Sequence, residues 1–358
     1  MKVIIDIRSS EGKKAGKGFY TYFLTKSLIE NSPDLDFILL CKNNAASFKD
    51  YKNVEIKKIK GSGIFWHINV LKYLKNTDAQ IYFSPSSFIV PAFIPKNLKL
   101  FVTIHDLVSF LFSDTHNKKA KFIEKFLINR VIKNSSYILC VSKNTLLDLK
   151  RLFKVDENKL QVINCSASDF FRPENSKLDS NFYLAVSTIS PRKNFLNIVK
   201  SFSEVLKVNK DLRLKIVGNK GWQYKTVFEE IENLGISKNV DILGYVSDEK
   251  LRQLYNCAIA LVFPSFYEGF GIPPLEAMKS GCPVISSNTS SLPEVVGDAA
   301  ILIDPYDIKS LTKAMLEIKN NDNLRKSLIL KGLNQSKKFS FDKSAVKLAN
   351  LLRKYMKK

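Results

Sequence analysis

The chain has 358 residues, 45% of them hydrophobic and 11% aromatic, which excludes a disordered or fibrous protein and predicts two globular domains. Its net charge of +22 is spread over both halves and is compatible with nucleic acid, an anionic membrane surface, phosphate-bearing substrates or solvated surface lysines. No apolar run is long enough to span a bilayer, and five widely spaced cysteines without a Cys-x-x-Cys pair favour a reducing cytosol.

In the first half, apolar runs alternate with segments of helical spacing. The predicted strands are KVIIDI, LDFILLC, VEIKKI, AQIYFSP, LKLFVTIHD and SSYILCVS, and the predicted helices are FYTYFLTKSLIE and the stretch around KAKFIEKFLINRVIK. Several of these strands are apolar throughout, as is typical of parallel strands covered on both faces. The alternation predicts a doubly wound α/β domain.

The second half repeats this alternation. The predicted strands are FYLAVS, LRLKIVG, VDILGYV, AIALVFPS, CPVISS and AAILID, and the predicted helices are NFLNIVKSFSEVLKV, WQYKTVFEEIENLG, SDEKLRQLYNCA and PPLEAMKSG. A polar stretch at 175–181 joins the halves, so we predict a first domain at 1–174 and a second at 175–340. The basic amphipathic segment at about 341–358 is expected to pack back onto the first domain.

Residues 258–288, AIALVFPSFYEGFGIPPLEAMKSGCPVISSN, contain the most informative motif. Gly269 and Gly271 allow backbone N–H groups to approach a ligand, and the helix that follows offers its N-terminus to an anion such as a diphosphate. Glu268 and Glu276 flank this loop with acceptors for sugar and ribose hydroxyls. Spacing alone leaves an ordinary strand–turn–helix with two surface glutamates equally open.

The segment EGFGIPPLE, followed by AMKSGCPVISSN, resembles the donor-site signature of glycosyltransferase family 4, whose members have the GT-B fold. The resemblance continues through SSLPEVVGDAAILIDPYD and upstream through STISPRKN, LRLKIVGNKGW and VDILGYVSDEKLRQLY, so it covers nearly the whole second half. Weaker matches in the first half are GKGFYTYFL, VTIHDL and VSKNTLLDL. Together they look most like the bacterial mannosyltransferase-type branch of O-antigen and capsule biosynthesis. The fold implied is α/β, with two Rossmann-like domains facing across a cleft.

The resemblance implies a role for each matching residue. Glu268 and His105 would lie at the transferred sugar as catalytic residues, and Glu276 would hold the ribose hydroxyls. The donor diphosphate would be bound by Arg192, Lys193, Gly269, Phe270 and Gly271, and the glycine loop of the first domain, with Gly16 and Gly18, would approach the donor phosphate or the acceptor. Fixed cations suit a leaving diphosphate because it gains negative charge in the transition state.

Two positions depart from the family pattern. Thr188 stands where many members have an arginine, so Arg192 would have to replace that charge, and Phe19 stands where an arginine is usual. The pair Asp34 and Asp36 spells Asp-x-Asp, but it precedes a strand, so we interpret it as a turn and expect no metal site.

The sequence therefore predicts a retaining, metal-independent hexosyltransferase without a cofactor. It would move a hexose, mannose from GDP-mannose by subfamily resemblance, to a growing, lipid-linked saccharide of a surface polysaccharide. We expect it in the cytoplasm or peripherally on the cytoplasmic face of the inner membrane, with anionic lipid as a partner of its basic surface. The alternatives are a sugar-nucleotide epimerase on the same fold and a basic nucleic-acid-binding protein, for which no motif speaks.

Overall fold

The computed structural model describes residues 2–12, 16–43, 45–112, 118–174 and 181–355, with the backbone alone for 118–122. The chain divides into two units, Met1–Cys165 together with Ser340–Lys358, and Ser166–Phe339. Most of the predicted joining stretch, residues 175–180, lies outside the described residues. In the described part of the chain, no helix has both the length and the apolar character needed to cross a bilayer.

The first unit contains a parallel sheet. Its described strands are β1 (Lys2–Asp6), β2 (Asp36–Cys41), β3 (Val54–Lys58), β4 (Ile81–Ser84), β5 (Lys99–Ile104), β6 (Ser135–Cys140) and β7 (Leu160–Val162). The helices between them are α1 (Lys17–Glu30), α2 (Ile64–Lys75), α3 (Ile89–Ala92), α4 (Val108–Leu111), α5 (Lys118–Asn134) and α6 (Lys143–Leu152). The strand order is β3-β2-β1-β4-β5-β6-β7, and every neighbouring pair is parallel.

The second unit has the same layered construction. Its described strands are β8 (Phe182–Val186), β9 (Arg213–Val217), β10 (Val240–Gly244), β11 (Leu261–Phe263), β12 (Val284–Ser287) and β13 (Ile301–Ile303). Its helices are α7 (Phe195–Val208), α8 (Lys225–Asn233), α9 (Asp248–Cys257), α10 (Ile272–Lys279), α11 (Leu292–Val296), α12 (Ile308–Asn320) and α13 (Asp322–Ser336). The strand order is β10-β9-β8-β11-β12-β13, again all parallel.

Continuous burial explains why the strands could be recognised from the sequence. Every position of β4, β8, β11 and β12 is buried, as expected for parallel strands with helices on both faces. All twelve predicted strands are present, and the predicted fold class of two Rossmann-like parallel-sheet domains is confirmed. The short strand β7 and seven helices of the described residues were not predicted, namely α2, α3, α4, α6, α11, α12 and α13.

The last helix, α14 (Phe341–Lys354), belongs to the first unit. Its apolar face is buried against α1, where the Phe341 ring stacks on Phe23 with a centroid distance of 5.6 Å. The Arg353 guanidinium forms an ion pair with Asp34, which is the first residue of the Asp-x-Asp pair. This aspartate therefore contributes to the packing of the C-terminal helix.

The boundary between the units falls earlier than the sequence suggested. Residues 166–174 belong to the second unit, and their polar contacts explain why. The Lys279 ammonium donates to the Ala167 carbonyl at 2.9 Å, and the Asn256 amide oxygen accepts the Glu174 N–H at 2.6 Å. The partners in these bonds lie in α9 and α10 of the second unit. Residues 166–174 are therefore fixed to that unit before the joining stretch begins.

Candidate active site

In the second unit, two neighbouring strands end beside each other and continue in loops. The chain leaves β8 toward β9 on one side, whereas β11 lies on its other side. Ligands of doubly wound sheets bind at such a switch in strand order. The two loops are hydrogen-bonded to each other, since the Phe266 N–H donates to the Arg192 carbonyl at 3.0 Å.

Glu268 lies in the loop after β11, between the two cations of the loop after β8. The Arg192 guanidinium is 3.1 Å from Glu268 Oε2, and the Lys193 ammonium donates to Glu268 Oε1. All three side chains are largely buried, with 11% to 19% of their surface exposed. The structure thus brings together three of the predicted site residues from positions more than seventy residues apart.

Burial and the neighbouring positive charges have opposite effects on the pKa of Glu268. Burial alone would raise its pKa, but the nearby charges of Lys193 and Arg192 outweigh burial and lower the pKa to about 2. The carboxylate is therefore ionised at neutral pH. One carboxylate between two cations leaves an excess of one positive charge, which suits a polyanionic ligand.

Backbone contacts fix the glycine loop and the start of α10. The Ser291 hydroxyl donates to the carbonyls of Glu268 and Phe270 at 2.9 and 2.6 Å, and the Ser290 hydroxyl accepts the Glu268 N–H at 3.0 Å. Gly271 has a φ of 125° and precedes α10 without a side-chain cap. These bonds fix the loop that precedes the uncapped N-terminus of α10, and a helix N-terminus favours an anion.

Glu276 lies in α10 and is also buried, but its environment differs from that of Glu268. The Tyr255 hydroxyl donates to Glu276 Oε2 at 3.0 Å. Burial raises the pKa of Glu276 to about 7, and the Tyr255 hydrogen bond only partly opposes this. Among the described residues, no donor forms a hydrogen bond to Oε1, so this oxygen can accept a hydrogen bond from a ligand hydroxyl.

Sequence analysis missed four residues that support this site. Tyr255 orients Glu276, and Ser290 and Ser291 hold the glycine loop. Asn194 adopts a φ of 60° directly after Lys193 and donates its amide hydrogens to the carbonyls of Pro264 and Pro305. The positions in SSLPE and SPRKN lay within matched segments, but which side chain makes each contact could be seen only in the fold.

His105 lies in the other unit, at the carboxyl end of β5. Its Nε2–H donates to the Pro85 carbonyl at 2.7 Å, which leaves Nδ1 as an acceptor. Burial and the charge of Lys17 lower its pKa to about 4, so the ring is neutral at physiological pH. It lines a pocket of ≈180 Å³ together with Lys17, Thr103 and Asp106.

The two predicted glycines of the first unit have identifiable structural roles. Gly16 has a φ of 47° and precedes α1. At Gly18, a Cβ atom would lie 2.3 Å from the Ser9 carbonyl oxygen, so only glycine allows α1 to pack this closely. Phe19, where relatives have arginine, packs its ring 4.4 Å from that of Phe23.

Two further sequence expectations concern metal binding and the substituted arginine. In the described part of the chain, no group of three or more His, Cys, Asp or Glu residues could hold a metal ion. Thr188 packs its methyl carbon beside Gly221, where an added Cβ would lie 2.6 Å away. Arg192 therefore supplies the second cation beside Lys193 and Glu268.

Comparison with known proteins shows the family to which the chain belongs. The family model described as glycosyl transferases group 1 matches residues 167–335, and that described as Glycosyltransferase Family 4 matches 36–167. The O-antigen chain mannosyltransferase B of Escherichia coli is 30% identical over 292 residues, which are 77% of this chain and 75% of that protein. The O-antigen chain mannosyltransferase RfbU of Salmonella typhimurium is 30% identical over 357 residues, which are 95% and 96% of the two chains.

Among solved structures, sucrose-phosphate synthase from Thermosynechococcus elongatus superposes with a TM-score of 0.82 at 16% identity, covering 99% of each chain. At this identity the likeness establishes the GT-B fold. The fold together with the two family models identifies the class as glycosyltransferases. The chain belongs to glycosyltransferase family 4. These comparisons do not support the alternative of a sugar-nucleotide epimerase.

Proposed function

We propose that this protein is a retaining hexosyltransferase of surface polysaccharide biosynthesis that uses a nucleoside-diphosphate sugar. The observation that carries the proposal is the contact of Glu268 with both Arg192 and Lys193 beside the glycine loop. The names of the two relatives that match 77% and 95% of this chain, both O-antigen mannosyltransferases, support mannose as the sugar and GDP-mannose as the donor.

In this mechanism the bond between the anomeric carbon and the diphosphate oxygen breaks as the acceptor hydroxyl forms the new glycosidic bond. Arg192 and Lys193 stabilise the charge that develops on the leaving diphosphate, with the Gly269–Gly271 loop adding backbone N–H donors. The proton of the acceptor hydroxyl leaves with the diphosphate or with solvent. These cations would occupy the place that a metal ion takes in metal-dependent transferases.

Glu268 is better suited to positioning than to nucleophilic attack. Its two carboxylate oxygens each contact a cation, and its low pKa makes it a weak base. When the diphosphate binds, it competes for the same cations and frees the carboxylate to accept hydrogen bonds from sugar hydroxyls. Glu276 would accept from the ribose hydroxyls through Oε1. His105, neutral and with Nδ1 available, would accept from a hydroxyl of the sugar or the acceptor.

The acceptor and the location are the remaining parts of the proposal. A lipid-linked saccharide on the cytoplasmic face of the inner membrane fits the net charge of +22, since anionic headgroups attract basic surfaces. The basic helix α14 does not offer its apolar face to lipid, because that face is buried against α1. In the segment 86–95, Phe93 is 44% exposed and lies under the Arg130 guanidinium.

A thermal-shift panel of UDP-, GDP- and dTDP-sugars tests the donor, since a ligand of the folded state raises the melting temperature by mass action. Donor turnover should then fall roughly 100-fold or more in Lys193→Ala and in Glu268→Ala, because both remove preorganised groups from the site. Lys225→Ala, at an exposed lysine of α8 in the same unit, is the matched control. Full turnover in both site variants would exclude this assignment.

A further inference from the structure

A second polar site lies in the first unit, between the segment that follows β1 and the first turn of α2. The Arg8 guanidinium stacks on the Trp66 ring at 4.2 Å, and its Nη1 is 3.3 Å from His67 Nε2. Asp6 accepts the backbone N–H of Arg8 at 3.1 Å. Among the described residues, no carboxylate forms an ion pair with the Arg8 guanidinium.

The state of His67 follows from its contact with Arg8. A guanidinium only donates hydrogen bonds, so His67 Nε2 must accept and Nδ1 must carry the proton. Burial and the charge of Arg8 lower the pKa of His67 to about 4, which keeps the ring neutral. His67 is 5% exposed, and its Nδ1 has no hydrogen-bond partner among the described residues.

Apart from its contact with His67 Nε2, the Arg8 guanidinium has no hydrogen-bonded acceptor among the described residues, and the buried Asp6 carboxylate interacts with its charge without forming an ion pair. Arg8 is partly exposed and is held in place by stacking and by a neutral histidine, so its remaining N–H groups are free to bind an anion. A buried, unpaired N–H such as that of His67 carries a desolvation cost that an anionic oxygen would remove. The site therefore favours a phosphate-like group.

The loop before α2 brings backbone close to the same place. Gly61 and Gly63 have φ values of 111° and 52°, and a Cβ on Gly61 would lie 3.1 Å from the backbone nitrogen of Trp66. The Asn69 amide donates to the Lys60 carbonyl at 3.0 Å and closes the loop over the first turn of the helix. No side chain caps this twelve-residue helix, so its positive end adds to the charge of Arg8.

The same helix turn also carries exposed apolar side chains. Ile64 is 57% exposed, Phe65 67% and Ile68 40%. The sequence of α2, IFWHINVLKYLK, contains no acidic residue, and Lys72 and Lys75 lie in its last turn. An anion-binding turn beside exposed aliphatic and aromatic side chains matches a ligand that joins a phosphate to a hydrocarbon chain.

We propose that Arg8, His67 and the first turn of α2 bind the phosphate of a lipid-phosphate acceptor, with Ile64, Phe65 and Ile68 in contact with its hydrocarbon chain. This assignment rests on the proposed transfer to a lipid-linked saccharide and names the part of the acceptor that the first unit recognises. Neither Arg8 nor His67 belongs to the donor residues of the second unit.

Farnesyl phosphate, farnesol and inorganic phosphate separate the possible sources of binding. Trp66 lies under Arg8 and reports binding by fluorescence, and the Trp222→Phe background removes the other tryptophan. Farnesyl phosphate should bind at least 10-fold more tightly than either other probe. Arg8→Gln should lose at least 10-fold in affinity for farnesyl phosphate, and Arg8→Lys should lose less because it keeps the charge without the planar fork.

Phe65→Ser should weaken binding of farnesyl phosphate several-fold and leave that of inorganic phosphate unchanged. Arg151→Gln, at an exposed arginine of α6 in the same unit, is the matched control and should bind like the parent. Equal binding of farnesyl phosphate by the parent and by both Arg8 variants would overturn the proposal. Equal affinities for farnesyl and inorganic phosphate, with no effect of Phe65→Ser, would reduce the site to a free-phosphate site and also overturn it.

The donor supplies the folding control. The thermal shift with the best nucleotide sugar should be the same in Arg8→Gln, Phe65→Ser and the parent, because that site lies in the second unit. If Arg8→Gln loses this shift, Arg8→Lys and Phe65→Ser decide the question. A protein that binds farnesyl phosphate but responds to no nucleotide sugar would refute the proposed donor chemistry and leave the lipid-phosphate site standing.

Discussion

Glu276→Gln should change how stability depends on pH, because it removes a buried carboxyl and leaves the volume of the side chain unchanged. The pKa of Glu276 rises from 4.5 to about 7 on folding. Below pH 4.5 the carboxyl is protonated in both the folded and the unfolded chain. Between pH 4.5 and about 7 the unfolded chain releases the proton while the folded chain keeps it, so the free energy of unfolding falls as pH rises.

The size of this effect follows from the shift. One pKa unit corresponds to about 1.4 kcal/mol, so the carboxyl destabilises the fold by at most about 3 kcal/mol above pH 7. Glutamine does not titrate and can still accept the Tyr255 hydroxyl. Relative to the parent, Glu276→Gln should gain stability progressively from pH 4.5 to 7 and keep a constant gain above that range.

Urea unfolding followed by circular dichroism at half-unit pH steps from 4 to 8.5 measures this difference. Glu229→Gln, at an exposed carboxylate of α8 in the same unit, is the control for a simple change of charge. Tyr255→Phe should move the upper end of the window to higher pH, since the Tyr255 hydrogen bond lowers the pKa of Glu276. A stability difference between Glu276→Gln and the parent that does not vary with pH would refute the argument from burial.

Two further substitutions test the packing of the first unit, both measured by urea unfolding. Gly18→Ala should lower the free energy of unfolding by about 1–3 kcal/mol, because its Cβ would lie 2.3 Å from the Ser9 carbonyl oxygen and the backbone would have to move. An unchanged urea midpoint would show that α1 is less tightly packed. Phe341→Ala should cost about 3 kcal/mol through lost contacts with Phe23, whereas Val346→Ala, 45% exposed on the same helix, should cost far less; equal costs would argue against the docking of α14.

The strands were predictable because their physical cause is local. A parallel strand between two helical layers must be apolar at nearly every position, and runs such as IYFS of β4 and FYLAV of β8 show this directly. Helix α12 is amphipathic, so its spacing alone would have predicted it, whereas the apolar residues of α13 are distributed around the helix and give no clear helical period. The short strand β7, LQV, has too few residues to show a period.

The donor motif was also predictable from the sequence. Glycines at 269 and 271, followed by prolines at the start of a helix, indicate a loop that opens a helix toward an anion. The resemblance to glycosyltransferase family 4 then assigned roles to Glu268, Glu276, Arg192 and Lys193. The family membership is confirmed by the comparisons, whereas the individual roles remain predictions that the substitutions above test.

What the sequence alone determined was the order of apolar and polar segments, since burial of one element depends mainly on its own residues. Only the tertiary structure decided which distant side chains meet. It placed Arg192 and Lys193 in contact with Glu268, and Tyr255 in contact with Glu276. It also placed His67 Nε2 3.3 Å from the Arg8 guanidinium. The pKa of a side chain depends on its burial and on its distances to other charges in three dimensions. It therefore follows from the strand order of the sheet and not from spacing along the chain.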